Sequence, residues 1–114
     1  MRYDSQTHRM SDIRLAYIGG GSRGWAWSFM TDLAMEPSMS GEVALYDIDR
    51  GAAQANEIIG NQIGRGPAAR GRWRYRVADT LEQALAGADF VVSSLLPGAG
   101  DEMEVAVHLP QRRH

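Results

Sequence analysis

Apolar and polar positions alternate along the chain with two different periods, and the changes between them predict where strands and helices lie. Short continuous apolar runs, such as residues 13–18, are typical of strands that are buried on both faces of a sheet. Segments in which apolar residues recur every three or four positions, such as 22–35, predict amphipathic helices. In chain order the pattern predicts strands at 13–18, 43–46, 73–77 and 89–96, separated by helices at 22–35, 51–64 and 80–88.

Strands that alternate with helices in this way predict an α/β fold, namely a Rossmann-like, doubly wound parallel sheet with right-handed crossovers. In the usual spatial order of such sheets, 3-2-1-4, the third strand is an edge strand. The segment "WRYRV" at 73–77 has the period of two that a half-exposed edge strand shows. The fourth strand then lacks an outer neighbour, so we expect a partial, four-strand dinucleotide-binding domain over residues 13–114.

Two smaller expectations follow from the same pattern. The second helix is predicted to bury one side, formed by Ala52, Ala55, Ile58, Ile59 and Ile63. The segment "DEMEVAVHL", after the fourth strand, is expected to start another helix.

Composition and the first twelve residues narrow the class of protein. Residues 1–12 are polar and without period, so we expect a disordered arm there. The net charge is −2, from 12 basic and 14 acidic residues that are mixed along the chain, which gives no field that favours nucleic acid or a membrane surface. The absence of cysteine excludes disulfides, and no apolar stretch approaches the roughly 20 residues that span a bilayer. We expect a cytoplasmic protein of one domain.

The segment between the first strand and the first helix carries the pattern G-x-G-x-x-G at Gly19, Gly21 and Gly24. The first glycine permits a tight turn, the second lets the backbone approach a pyrophosphate, and the third lets helix and strand pack closely. Asp47 ends the second strand, 23 residues after Gly24. A carboxylate there accepts hydrogen bonds from ribose hydroxyls and repels a 2′-phosphate, so the sequence predicts a site for NAD rather than NADP.

Several neighbouring residues are weaker candidates. Ser22 and Arg23 stand where the first helix begins and can contact phosphate, although capping and simple solvation explain them equally well. Asp49 is expected to be the N-cap of the second helix. Pro97 and Gly98 follow the fourth strand at the carboxyl edge of the sheet, where ligands bind, and are expected to line the nicotinamide side.

No catalytic or metal-binding group is evident in the sequence. His8, His108 and His114 are scattered and have no metal-ligand spacing. Ser93 and Ser94 lie in a strand without the G-x-S-x-G elbow of a hydrolase nucleophile. We therefore assign no catalytic residue and no metal ligand.

Taken together, four segments resemble the N-terminal cofactor domain of family 4 glycoside hydrolases, in the branch of α-galactosidases, α-glucosidases and α-galacturonidases. They are "LAYIGGGSRGWAW", "VALYDIDRGAAQANEIIGN", "TLEQALAGADFVVSSLLPG" and "DEMEVAVHLP", within residues 13–110. The resemblance implies a glycosidase in which NAD oxidises the sugar at C3, a base removes the C2 proton, and the glycosidic oxygen leaves by elimination. Water then adds before the hydride returns, and a divalent metal, commonly manganese, polarises the sugar oxygens. It implies cofactor roles for Gly19, Gly21, Ser22, Gly24 and Asp47.

The sequence departs from that family at two places. After Pro110 it has "QRRH" where members of the branch continue into a glycine-rich segment, and their catalytic base and metal ligands lie further along. This implies a truncated or frameshifted product, or a partial gene, that is inactive by itself. Leu96 stands where phosphoglycosidases have an arginine, which implies a glycoside substrate without phosphate.

Two other functions remain open from the residues alone: the cofactor domain of a malate- or lactate-type dehydrogenase, and a non-enzymatic nucleotide-binding module. A homo-oligomer is expected.

Overall fold

A computed structural model describes residues 1–19, 21, 23–93 and 104–107, and the side chains of 23–26 and 104–107 lie outside that description. Strands and helices alternate through its centre as the sequence predicts. The elements are β1 (Arg2–Asp4), β2 (Arg9–Ile18), α1 (Arg23–Ala34), β3 (Met39–Tyr46), α2 (Arg50–Arg65), β4 (Arg72–Val77), α3 (Leu81–Leu85), β5 (Phe90–Ser93) and β6 (Glu104–Val107).

The described strands form one sheet in the order β4-β3-β2-β5-β6, and β1 pairs with β2 outside this path. The four strands from β4 to β5 are parallel to one another. They correspond to the third, second, first and fourth strands that the sequence predicts. The predicted order 3-2-1-4 and the Rossmann-like α/β class are therefore confirmed, and the carboxyl ends of these strands share one edge of the sheet.

Side chains from the two faces of the sheet form two cores. The larger core lies between the sheet and helices α1 and α2, and the smaller one, made mostly of alanines, lies under α3. Tyr17 is fully buried in the larger core and makes an edge-to-face contact with Phe29, with ring centroids 5.2 Å apart. Burial also raises the pKa of the Tyr75 phenol, because the charged form would lose its hydration. Helices on both faces explain why β2 is apolar on both of its sides.

The first twelve residues differ from the disordered arm that the sequence predicts. β1 pairs antiparallel with the first part of β2, with Arg2 opposite Ser11 and Asp4 opposite Arg9. The N–H of His8 donates to the carbonyl oxygen of Asp4 at 2.8 Å and closes the turn between the strands. A hairpin of polar residues has little apolar periodicity, so the pattern in the sequence does not reveal it.

The segment after β5 also differs from its prediction. A helix was expected within 101–109, but residues 104–107 form β6, which pairs antiparallel with β5. The sequence of β6, "EVAV", contains two β-branched valines, which favour a strand. The sequence predicts that the outer side of β5 is unpaired, but β6 covers it. The hydrogen bonds between β5 and β6 satisfy backbone groups that a free edge would leave unpaired.

The free edge of β4 is closed by polar side chains of α2. The Asn61 side chain accepts a hydrogen bond from the Tyr75 N–H at 2.9 Å and donates one to the Tyr75 carbonyl oxygen at 3.0 Å. Glu57 Oε2 accepts a hydrogen bond from the Val77 N–H at 3.0 Å. Because β4 is an edge strand, these bonds take the place of a neighbouring strand.

This arrangement corrects the predicted inner side of α2. The helix buries Ala53, Asn56 and Gly60, whereas Ile58 is 58% exposed. A Cβ atom on Gly60 would lie 2.7 Å from both Met30 Sδ and Tyr75 Cδ1, so α2 packs closely against α1 and β4 there. Of the predicted set, Ile59 and Ile63 pack against the core, and Ala55 and Ile58 face outward.

We expect Asn61→Ala to lower the free energy of unfolding by about 2 kcal/mol, because it leaves two backbone groups of the β4 edge without partners. Gln62→Ala is the matched control, since Gln62 is an exposed amide on the same helix and should cost less than about 0.5 kcal/mol. Urea denaturation followed by circular dichroism measures both. Equal losses for the two variants would show that the edge bonds do not stabilise the fold.

Candidate functional site

The chain turns sharply where β2 leaves the sheet. Gly19 follows β2 directly and has φ +90°, a backbone conformation that residues with a side chain rarely adopt. Its N–H donates to the carbonyl oxygen of Tyr46, the last residue of β3, at 2.8 Å. The first glycine of the motif therefore joins the carboxyl ends of β2 and β3, as the tight turn requires.

The second glycine of the motif lies against the residues that follow β3. The Gly21 N–H donates to Asp47 Oδ2 at 2.8 Å. A Cβ atom on Gly21 would lie 2.6 Å from Ala52 Cβ and 2.8 Å from Asp47 Oδ2. The sequence explains this glycine by close approach to a pyrophosphate, and the structure adds a second reason, which is its close approach to Asp47 and α2.

Asp47 is oriented by two backbone N–H groups. Its Oδ2 accepts from Gly21, and its Oδ1 accepts from the N–H of Asp49 at 2.8 Å. A carboxylate oxygen accepts two hydrogen bonds, so with respect to the described residues each oxygen keeps one acceptor position for a ligand hydroxyl. Asp49 accepts from the Ala52 N–H at 3.0 Å, which confirms it as the N-cap of α2.

The structure brings three of the predicted cofactor residues together, namely Gly19, Gly21 and Asp47. Helix α1 begins directly after the turn, with Arg23 and Gly24 as its first two residues, so the start of a helix is at the turn. Ser22 lies outside the described residues, as do Pro97 and Gly98.

One feature of this edge is not expected from the sequence patterns. Arg50, the first residue of α2, forms an ion pair with Asp79, which lies just beyond the end of β4. The Asp79 N–H donates to Gln83 Oε1 at 3.0 Å. The sequence contains enough information to predict that these two residues lie near each other. Both follow strands that are neighbours in the predicted order, and the carboxyl ends of parallel strands meet at one edge.

Within the part of the chain that the structure describes, no group of three or more His, Cys, Asp or Glu residues could hold a metal ion. Among the same residues, no helix combines the length and the apolar character needed to cross a membrane.

Relatives with similar sequences include three α-galacturonidases. The chain is 62% identical over 112 residues to that of Lachnoclostridium phytofermentans, 58% over 113 residues to that of Thermoanaerobacterium saccharolyticum, and 56% over 103 residues to that of Bacillus subtilis. These matches cover 98%, 98% and 90% of this chain. The chain spans only 24%, 24% and 22% of the length of these relatives.

Solved structures show the same fold. A crystal structure of a Bacillus subtilis protein, provisionally described as a glucosidase, has a TM-score of 0.68 and 54% identity, and the match covers 78% of this chain and 19% of that one. The 6-phospho-β-glucosidase of Thermotoga maritima, solved with manganese, NAD⁺ and glucose-6-phosphate, has a TM-score of 0.57 and 26% identity, with coverage of 76% and 20%. A family model described as family 4 glycosyl hydrolase matches residues 14–114, and the chain therefore belongs to this family.

Proposed function

We propose that this chain forms the NAD site of a family 4 glycosidase that cleaves α-galacturonides. The contact between the Gly21 N–H and Asp47 Oδ2 carries the cofactor proposal, because it places a carboxylate directly beside the glycine turn. The resemblance implies an α-galactoside, an α-glucoside or an α-galacturonide as substrate. Relatives that are 62% to 51% identical are named α-galacturonidase, which favours the α-galacturonide among these three. A malate- or lactate-type dehydrogenase is not favoured, since the family 4 model matches residues 14–114.

The described residues fit a dinucleotide at the carboxyl edge of the sheet. Gly19 and Gly21 leave the backbone of the turn without side chains, and the start of α1 presents backbone N–H groups that suit a pyrophosphate. Each oxygen of Asp47 accepts one hydrogen bond from the described part of the chain and can accept a second, which suits the two hydroxyls of a ribose. We therefore assign phosphate binding to the turn and ribose binding to Asp47.

When bound, NAD would supply a hydride acceptor for oxidation of the sugar. The residues of this chain bind and orient the dinucleotide, and the carboxylate of Asp47 disfavours a 2′-phosphate by repulsion. We assign no proton transfer and no metal ligand to the described residues. The homo-oligomer, the cytoplasmic location and a role for Ser22, Arg23, Gly24, Pro97 and Gly98 in cofactor binding remain predictions.

Asp47→Ala is expected to weaken NAD binding by about tenfold or more, because a charged acceptor with two hydrogen bonds to ribose is lost. Isothermal titration of the folded chain with NAD measures the effect. Asp32→Ala is the matched control, since it removes an exposed carboxylate at the other end of α1 and should leave affinity unchanged. A folded chain that does not bind NAD would contradict the proposed cofactor site.

A chimeric enzyme, in which this chain replaces the matching segment of a relative, tests the glycosidase proposal. The matching segment of the L. phytofermentans α-galacturonidase is replaced by this chain, and hydrolysis of an α-galacturonide is measured with and without added NAD. We expect the chimera to cleave the galacturonide in a NAD-dependent way and the Asp47→Ala chimera to lose most of that activity. A folded chimera that prefers an α-galactoside or α-glucoside would contradict the assigned substrate.

A further inference from the structure

The ion pair between Arg50 and Asp79 lies at the same edge as the proposed ribose site. Arg50 lies three residues after Asp47 as the first residue of α2, and the connecting segment 47–49 contains no basic residue. Asp79 approaches it from the neighbouring strand, and the two side chains are 56% and 57% exposed. The pair therefore joins the start of α2 to the loop after β4.

The position of Asp79 does not depend on the ion pair. The Ala78 N–H donates to the carbonyl oxygen of Leu45 at 2.8 Å, and the Asp79 N–H donates to Gln83 Oε1 at 3.0 Å. Gln83 is itself fixed by the cap of α3, where its N–H donates to Thr80 Oγ1 at 3.0 Å. These bonds fix the backbone at Asp79 independently of the ion pair, so the Asp79 carboxylate extends from a fixed point of the chain towards the Arg50 guanidinium.

An arginine beside the ribose is the usual means by which a Rossmann fold accepts a 2′-phosphate. Arg50 has the right chemistry and the right place in the chain for that role, but its guanidinium is engaged by Asp79. A 2′-phosphate carries a charge of about −1.5 to −2, and it would have to displace this carboxylate while standing near Asp47. The same guanidinium, if free, could donate two parallel hydrogen bonds to the phosphate.

We propose that Asp79 is a specificity-determining residue for the cofactor, because it holds Arg50 away from the 2′ position of the ribose. This inference rests on the proposed NAD function. It adds a second carboxylate, that of Asp79, to the groups that select NAD over NADP. Asp47 repels the 2′-phosphate, and Asp79 withdraws the cation that would otherwise attract it. An exposed ion pair contributes little to stability, so removal of Asp79 leaves the fold intact.

The test compares NAD and NADP dissociation constants, measured by isothermal titration, for the unchanged chain and three variants whose folding is checked by circular dichroism. Asp79→Ala is expected to strengthen NADP binding about tenfold and to change NAD binding less than about twofold. Asp79→Glu, which keeps the charge, should retain the original preference. In Asp79→Ala/Arg50→Gln the gain for NADP should disappear, and the gain in Asp79→Ala should shrink as salt is raised.

The outcomes separate this inference from the function on which it rests. If the unchanged chain binds NAD and Asp79→Ala shifts both dinucleotides equally, the specificity role is overturned and the NAD site stands. A gain for NADP that survives the loss of Arg50 overturns the assigned route through the guanidinium. If the unchanged chain binds neither dinucleotide, the proposed NAD function and the inference are both overturned.

Discussion

Gly21→Ala is expected to weaken NAD binding about a hundredfold, which corresponds to about 2.7 kcal/mol. The added Cβ would lie 2.6 Å from Ala52 Cβ and 2.8 Å from Asp47 Oδ2, so the turn or the carboxylate has to move. Either movement breaks the hydrogen bond from the Gly21 N–H to Asp47 and shifts the ribose acceptor relative to the phosphate turn. Isothermal titration with NAD measures the loss.

Two further variants distinguish this local effect from a general loss of structure. Gly51→Ala is the matched control, because the nearest atom to its Cβ is Asp49 Oδ1 at an ordinary 3.6 Å. In Gly21→Ala/Ala52→Gly the contact with α2 is removed and the contact with Asp47 is kept, so only part of the affinity should return. Full recovery in the double variant would mean that crowding against α2, and not the displacement of Asp47, lowers the affinity.

The phosphate turn and the order of the parallel strands could be predicted because their signals are local. Gly19, Gly21 and Asp47 have fixed spacings relative to the ends of apolar strands, and the alternation of strands and helices leaves few arrangements of the sheet. The edge position of β4 followed from its period of two, and the structure shows its arginines exposed and Trp73 and Tyr75 buried. These properties depend on a residue and its neighbours in the chain.

Other features of the fold could not be predicted, because apolar periodicity does not show which backbone groups or side chains pair with one another. The hairpin at 1–12 and the pairing of β6 with β5 are stabilised by backbone bonds, which leave little mark on apolar periodicity. The inner side of α2 was misplaced because Asn61 is used to close the edge of β4 and Gly60 sets the distance of the helix from the sheet. Apolar periodicity gives no weight to an inward-facing amide or glycine.

The role of Gly41 also could not be predicted from the sequence, because nothing in its sequence context requires a glycine within β3. It is opposite Ile13, just where the pairing of β2 with β3 shifts in register between Met10 and Ile13. Asp12, beside this irregularity, has φ +54°, a conformation that few residues other than glycine adopt. The shifted β2 backbone comes so close that a Cβ on Gly41 would lie 2.0 Å from the Ile13 carbonyl oxygen.

Gly41→Ala is therefore expected to lower the free energy of unfolding by about 3 kcal/mol or more, because the crowded atoms are backbone and cannot move to another rotamer. Urea denaturation followed by circular dichroism measures the loss, and Gly51→Ala, whose Cβ would make only an ordinary van der Waals contact at the start of α2, should be neutral or slightly stabilising. Asp12→Gly should raise stability modestly by relieving the positive φ, without removing the crowding at Gly41. A Gly41→Ala variant as stable as Gly51→Ala would show that β2 and β3 can separate at low cost where the hairpin joins the parallel sheet.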